Sequence, residues 1–481
     1  MFDMIVIGGG PAGVVAALRA RELGATVALI ERWQMGGTCT NDGCVPTRVL
    51  AKAARLARDA AQFAEYGLIG EKPTVEFAVL LARTQHVVHQ IHEKKQLHYH
   101  LEQAGVTVFA NAGEAHFVDE HSVMLGDGTT LQGKKFIISA GGHARRLPFP
   151  GSEYALTHSD LWSLQQLPRQ IVVVGGAATG CQLASCFAAF GANVRILEVA
   201  PRILAGEDEM VSQGIAEAFH QRGIVVIPNI GGIQRIEQHD KSLHVFYLYK
   251  DEICMLTTEA VVLSVGWQGN VEVLNLAAAN VRSERSYIVV DDYLRTTTSH
   301  IFAAGDITGR MMLVQSAGWE GALAAENALL EHKRASEHTI VPHGSFTDPE
   351  YGSVGLTEEL ARASHDCTVA VVPYASLDRA VIDGHKEGFC KLIVSTRTHH
   401  ILGAHIVGEQ ALEILQLVAS CMAANMVIER LALIELAYPT FTAIVGLAAR
   451  QIMRELGGIP LSPQWQNLSR PGITEWEQGT A

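Results

Sequence analysis

The sequence predicts an α/β protein built on parallel sheets, and three observations carry that prediction. Two short apolar runs, Ile5-Val6-Ile7 and Ile171-Val172-Val173-Val174, each break into a glycine-rich turn. Each turn opens a helical stretch of small residues that leads to a second apolar run closed by a glutamate, Glu31 or Glu198. The interval from Gly8 to Glu31 equals that from Gly175 to Glu198, so the two units share one plan. From about Val341 the pattern changes to alternating strands and one long helical run, about Ala411 to Arg430, which reads as an α+β region.

The turns are Gly8-Gly9-Gly10-Pro11-Ala12-Gly13 and Gly175-Gly176-Ala177-Ala178-Thr179-Gly180. Strand, glycine turn, helix and second strand make a Rossmann-like dinucleotide-binding unit. Gly8 and Gly175 permit the tight turn, and Gly10 lets the backbone approach a pyrophosphate. Gly13 and Gly180 let helix and strand pack closely, with the helix N-terminus facing the anion. Glu31 and Glu198 can accept hydrogen bonds from ribose hydroxyls. Ala177 stands at the middle glycine position of the second turn, which sets a pyrophosphate slightly further out. Two copies imply two different dinucleotides. Glu198 binds a ribose diol and repels a 2′-phosphate, favouring NADH, while the nearby Arg195 and Arg202 leave NADPH open.

Composition narrows the class. Of 481 residues 48% are apolar and 18% charged, enough to bury a core in about three domains. A formal charge of −13 argues against a nucleic-acid or anionic-membrane partner. Ile171 to Val194 carries no charged residue, but Gly175, Gly176 and Gly180 break it where a strand would turn into a helix, so it is not expected to span a membrane. Met-Phe-Asp-Met leads straight into an apolar strand, without the basic n-region of a signal peptide. A soluble cytoplasmic protein is expected. Leu147-Pro148-Phe149-Pro150-Gly151, Leu167-Pro168 and Val341-Pro342-His343 read as linkers, and the tail from Pro460 as an exposed arm.

The most informative string is Gly36-Gly37-Thr38-Cys39-Thr40-Asn41-Asp42-Gly43-Cys44-Val45-Pro46-Thr47. It follows Glu31, where the chain should return toward the first cofactor. Glycines before and between the cysteines free the backbone to bring two sulfurs together. Helical periodicity resumes after Pro46, so the pair is expected at a helix start, where the dipole favours thiolate. Cys181 and Cys186 repeat the spacing, which raises a four-cysteine zinc site. They fall on different faces of one predicted helix, and small-residue packing is the better reading. His86, His89, His92, His98 and His100 lie on another predicted helix, read as a solvated face rather than a metal site.

These residues resemble the class I pyridine nucleotide–disulfide oxidoreductases, the family of dihydrolipoamide dehydrogenase, glutathione reductase and mercuric reductase. The cysteine string resembles the family's GGTCxNxGCxP signature, and Phe302-Ala303-Ala304-Gly305-Asp306 its second FAD motif, whose aspartate meets the ribityl chain. Ala140-Gly141, Phe346-Thr347-Asp348-Pro349-Glu350 and Ile401-Leu402-Gly403-Ala404-His405 carry the likeness through the chain. It implies an FAD domain in two segments (1–150 and 271–340), an inserted NAD(P) domain (151–270), a dimerisation domain (341–460) and a C-terminal arm (461–481). It further implies a homodimer, with Cys44 facing the flavin as the charge-transfer thiol and Cys39 as the interchange thiol. Gly37, Thr38, Gly141, Gly266, Gly305 and Asp306 would lie at the cofactors.

The departures narrow function further. Where disulfide-reducing members carry His-Pro-Thr-x-x-Glu, this chain has Tyr438-Pro439-Thr440-Phe441-Thr442-Ala443. A phenol is a poor general base at neutral pH. Arg48 and Gln182 stand where the family commonly has a lysine–glutamate pair beside the flavin, and Trp267 replaces a usual arginine. No cysteine follows Cys421, so the C-terminal metal-delivering thiols of mercuric reductase are absent. The expected function is electron transfer from NAD(P)H through FAD to Cys39–Cys44. From there electrons pass to a small acceptor: a soft metal ion such as Hg(II), a quinone-like molecule or an unusual disulfide. A disulfide reductase with another base, a diaphorase or transhydrogenase, and a non-turnover redox sensor are the alternatives.

Overall fold

Strands of nearly unbroken Val, Ile and Leu form the centre of two parallel sheets, as continuous apolar runs do when both faces are covered. A computed structural model describes residues 1–71 and 73–458. In the first sheet, Phe2–Ile7 lies between Val27–Ile30 and Thr130–Ile138, with Val106–Phe109 outside the former and Ile301–Ala303 beside the latter, all parallel. Met4, Ile5 and Val6 are fully buried. Each such side chain contributes about 1.5–3 kcal/mol of hydrophobic stabilisation. Two antiparallel strands, Ser122–Met124 and His116–Asp119, extend the sheet. Helix α1 (Pro11–Glu22) packs on it against the helix Val314–Leu329. A Cβ at Gly321 would stand 2.1 Å from the carbonyl oxygen of Ala12, so only glycine allows that approach.

The second sheet repeats the plan in the order Val225–Ile227, Asn193–Leu197, Gln170–Val174, Ala260–Leu263, again all parallel. The run Ile171 to Val194 resolves into strand, helix and strand. No helix among the described residues is long and apolar enough to cross a membrane.

The chain forms two compact units. Both parallel sheets belong to the first, Met1–Ala205 with Ala216–Thr339. The second comprises Gly206–Ile215 and the described residues from Ile340 onward. Its five-stranded antiparallel sheet runs in the order His343–Ser345, Tyr351–Gly355, Ile401–Val407, Phe389–Ser395, Cys367–Pro373. Gly206–Ile215 is held there by a buried ion cluster: Lys391 Nζ lies 2.8 Å from Asp208 and 2.7 Å from Glu358. The mixed α/β class therefore stands as expected.

Three sequence readings need correction. The long run from Ala411 ends at Ala423; Asn425 takes a left-handed backbone and a separate short helix, Ile428–Ala432, follows. The histidine-rich helix is broken at Gln96, which also has positive φ. The helix after the cysteine string starts at Cys44, with Pro46 inside its first turn, where no backbone N–H is missed. The predicted arm 461–481 lies outside the described residues.

Candidate active site

Both glycine turns are built as their spacing requires. Gly8 and Gly175 have φ of +109° and +103°, and a Cβ on either would stand 2.3 or 2.2 Å from a carbonyl oxygen of the neighbouring strand end. A Cβ at Gly13 or Gly180 would come within 1.8 or 1.9 Å of the Gly8 or Gly175 carbonyl oxygen. Gly10 caps α1, with Pro11 at its first position, and faces open space on its Cβ side except for Gly37. Glu31 accepts from the N–H of Gly9 (2.7 Å) and of Trp33 (2.9 Å). Glu198 accepts from Gly176 (2.5 Å) and Ala200 (2.7 Å) in the same way. Each carboxylate thus braces its own turn, a role the spacing did not reveal, and keeps lone pairs for a ribose.

The cysteine string lies on the first turn. Gly36 N–H donates to Gly9 O (2.9 Å), and a Cβ on Gly37 would sit 3.0 Å from Gly10 Cα. Two helices carry the cysteines: α2 (Gly37–Asn41) holds Thr38 and Cys39, and α3 (Cys44–Ala60) opens on Cys44. Between them Gly43 leaves helical geometry and donates to Thr38 O at 2.7 Å. That break turns the two sulfurs toward each other.

Both cysteines are thiols here, Cys39 half-buried and Cys44 exposed. The Cys39 thiol hydrogen-bonds to Cys44 and holds the Cys44 pKa down at about 7, helped by Cys44's own N–H and by Lys95. Cys39 moves up, through that same bond and burial. Cys44 is therefore the more acidic thiol of the pair.

The intervening residues are clamped from elsewhere. Lys95 Nζ donates to Thr40 Oγ1 (3.0 Å), and His92 Nε2 meets Asn41 Oδ1 at 2.7 Å. Both come from the last turn of α4 (Phe77–Lys95). Trp162 donates to Asp42 O (3.0 Å), Ser159 donates to the Asp42 carboxylate, and His158 Nε2 lies 3.9 Å from it. Burial pushes the His158 pKa down against the pull of Asp42 and Asp160. Sequence reasoning missed Lys95, Asp42, His158 and Trp162, and took His92 for part of a solvated face. Only the packing of α4 and of the 3-10 turn His158–Ser163 against the cysteine string identifies them.

Asp306 begins a short 3-10 turn after Gly305 (φ +79°). Burial, reinforced by Glu320, pushes its carboxyl up to about 6. Glu320 is wholly buried; it accepts from Gly305 N–H (2.7 Å) and pairs with His338 Nε2 (2.8 Å). Gly141 and Gly266 both have positive φ with free space around them. Arg48 on α3 and Gln182 on α6 (Ala178–Ala189) stand on helices that pack together. Cys181 and Cys186 are both buried in α6, and among the described residues no group of three or more His, Cys, Asp or Glu could hold a metal ion.

Tyr438, in the second unit, is 75% exposed and its hydroxyl donates to the Asp378 carboxylate, which raises its pKa. Asp378 was not foreseen.

Comparison with known proteins agrees with this architecture. The chain is 32% identical over 423 residues to dihydrolipoyl dehydrogenase of Zymomonas mobilis, covering 86% of this chain and 90% of that one. It is 30% identical over 434 residues to mercuric reductase of Staphylococcus aureus, covering 89% and 78%. Among solved structures it resembles the HOCl-induced flavoprotein disulfide reductase RclA of Escherichia coli. The TM-score is 0.84 at 27% identity, over 94% of this chain and all of that one; RclA is also solved as a Cu(II) complex. The pyridine nucleotide-disulphide oxidoreductase model matches residues 2–321, and the family's dimerisation domain matches residues 341–449. The chain belongs to the pyridine nucleotide-disulphide oxidoreductases, flavoenzymes that use FAD and NAD(P)H.

Proposed function

We propose that the chain passes electrons from NAD(P)H through FAD to Cys39–Cys44, and from that pair to a thiophilic metal ion or a comparably small acceptor. The observation that carries this reading is the Tyr438–Asp378 bond. A phenol donating to a carboxylate holds its proton more tightly than a free phenol, so Tyr438 does not serve as a general base at neutral pH. Exchange with a disulfide substrate needs such a base. A metal ion needs only thiolates to displace its ligands, and soft sulfur ligands select soft ions. The Cu(II) complex of RclA and the similarity to mercuric reductase support a metal acceptor.

The residues present fit FAD: an open α1 N-terminus, the Gly10–Gly37 approach and a buried aspartate beside the cysteines. When bound, FAD takes two electrons from the nicotinamide and supplies them to the disulfide, which gains two protons as it becomes a dithiol. Gly8, Gly10 and Gly13 would hold its pyrophosphate, and Gly175, Gly180 and Glu198 the nicotinamide dinucleotide, with NADH favoured. Arg48 would place positive charge near the flavin, with Gln182 as its neutral neighbour. Cys44, ionised in part at neutral pH, would face the flavin, with Lys95 favouring its thiolate, and Cys39 would meet the acceptor. In a homodimer Tyr438 would complete the partner's site.

An anaerobic NADH titration of the purified holoprotein tests this. A long-wavelength charge-transfer band should appear, and Hg(II) or Cu(II) should discharge it with turnover. Discharge by lipoamide or oxidised glutathione alone would favour the disulfide-reductase reading. Bleaching of the flavin with no such band would uncouple the cysteines and point to a diaphorase.

A further inference from the structure

The residues between Cys39 and Cys44 are gripped from outside at Asp42, which fills a position that the cysteine signature leaves open. Asp42 ends α2, and its N–H and that of Gly43 both donate to the Thr38 carbonyl, at 3.1 and 2.7 Å. The shape of this turn decides how the two cysteines face each other. Two side chains of the 3-10 turn His158–Ser163 converge on it. Trp162 donates its indole N–H to the Asp42 carbonyl at 3.0 Å, and Ser159 donates its hydroxyl to the Asp42 carboxylate. One bond fixes the backbone and the other the side chain of the same residue.

The 3-10 turn is itself firmly held. Asp160 closes a capping box, accepting from the N–H and the hydroxyl of Thr157 at 2.7 and 2.8 Å. Arg146 adds a bond to the same carboxylate (2.7 Å) and another to the Ala155 carbonyl (2.9 Å). Leu156 donates to Val261 O (2.8 Å) and accepts from Leu263 N–H (2.7 Å), which ties the segment to the strand Ala260–Leu263. His158 is buried, packs its ring 5.4 Å from that of Trp267 and sets Nε2 3.2 Å from Ser159 Oγ. A continuous brace therefore runs from the second parallel sheet to Asp42. None of these contacts involves sulfur, so they act on the cysteine pair only through the backbone between its members.

We propose that Asp42, Ser159 and Trp162 are positioning residues that hold the cysteine pair ready to close, and so set the stability of the Cys39–Cys44 disulfide. This rests on the reading that the pair cycles between dithiol and disulfide. Closing the bond needs the two Cβ atoms about 3.5–4.5 Å apart. A turn pinned at its middle loses less conformational freedom in reaching that geometry, as preorganised partners do. The disulfide is then more stable and its potential more negative. With Asp42 released, the two sulfurs spend less time in reach of each other, and the dithiol is favoured.

The test measures that potential directly. Holoprotein is equilibrated without oxygen in mixtures of reduced and oxidised dithiothreitol, quenched in acid and alkylated. Free Cys39 and Cys44 are then counted by mass spectrometry of their peptides. In reduction the protein S–S bond breaks and takes two electrons and two protons from the two thiols of one dithiothreitol, which closes its own S–S bond.

Ser159→Ala and Trp162→Phe should each lower the equilibrium constant for disulfide formation roughly three- to tenfold. That moves the midpoint by about 14 to 30 mV in the less negative direction. Ser159→Thr retains the hydroxyl and should keep the parental midpoint. So should Ser163→Ala, whose lost bond runs to Asp160 O (2.7 Å) rather than to Asp42. Parental midpoints in both Ser159→Ala and Trp162→Phe would overturn the proposal. A shift in Ser163→Ala as large as that in Ser159→Ala would overturn it too, because any loosening of the turn would then suffice. If Trp162→Phe does not fold, Ser159→Ala decides alone, since its hydroxyl sits on an exposed residue. A parent protein that forms no Cys39–Cys44 disulfide at any ratio would overturn the redox reading and the proposal with it. A parent that cycles while the variants match it overturns the proposal only.

Discussion

Cys39 and Cys44 share their spacing with Cys181 and Cys186, and the two pairs have opposite chemistry. The second pair lies inside one continuous helix, α6, where residues five apart point about 140° away from each other. Both are buried, and burial with the nearby Glu198 pushes the Cys181 thiol far up. In the first pair the helix is interrupted at Gly43, the sulfurs meet, and the Cys44 thiol falls to about 7. Reactivity here comes from a break in the helix and the donors it gathers, not from the interval between cysteines.

The largest expected effect that tests this contrast is Cys44→Ser against Cys181→Ser. The first should abolish the charge-transfer band and lower acceptor reduction by orders of magnitude, while the second leaves both unchanged. Equal rates in Cys44→Ser and the parent would remove the disulfide from the mechanism. Next comes Gly43→Ala, whose Cβ would stand 2.9 Å from the Thr38 carbonyl oxygen and push the two helices apart. A loss of about 1–3 kcal/mol in denaturant unfolding is expected, with slower alkylation of the pair; parental alkylation kinetics would show that the break is not what sets reactivity.

Smaller still is Cys181→Ala. Removing a buried sulfur that donates to Gly176 O (3.2 Å) should cost about 1–2 kcal/mol and leave Cys44 alkylation untouched. The finest test is Lys95→Gln. Alkylation of Cys44 in the parent should rise through about pH 7, as the thiolate forms. Lys95 lowers that pKa, so its removal should move the midpoint to higher pH and slow the reaction at neutral pH. An unmoved midpoint would assign the depression to the Cys39 bond and the Cys44 N–H alone.

Much of this architecture was legible in the sequence because local rules carry it. Gly8, Gly13, Gly175 and Gly180 declare themselves through spacing, since no other residue fits those close approaches. The cysteine string declared a redox pair through its flanking glycines and the helix behind it. Boundaries were less legible. Gln96 and Asn425 end helices through a left-handed backbone that their neighbours' periodicity does not announce. The α4 histidines read as a solvated face, yet His92 is bonded to Asn41, a contact 51 residues away in sequence.

The sequence by itself determined the two parallel sheets, the pair of dinucleotide turns, the redox cysteines and the replacement of a histidine base by Tyr438. These follow from periodicity, from glycine where a Cβ cannot fit, and from residue type at a motif position. Only the tertiary structure decided which thiol is the more acidic, which lysine supports its ionised form and how Asp378 holds the Tyr438 proton. Each of those depends on burial and on partners distant in sequence, because the charge state of a thiol, carboxyl or phenol is set by what surrounds it in space.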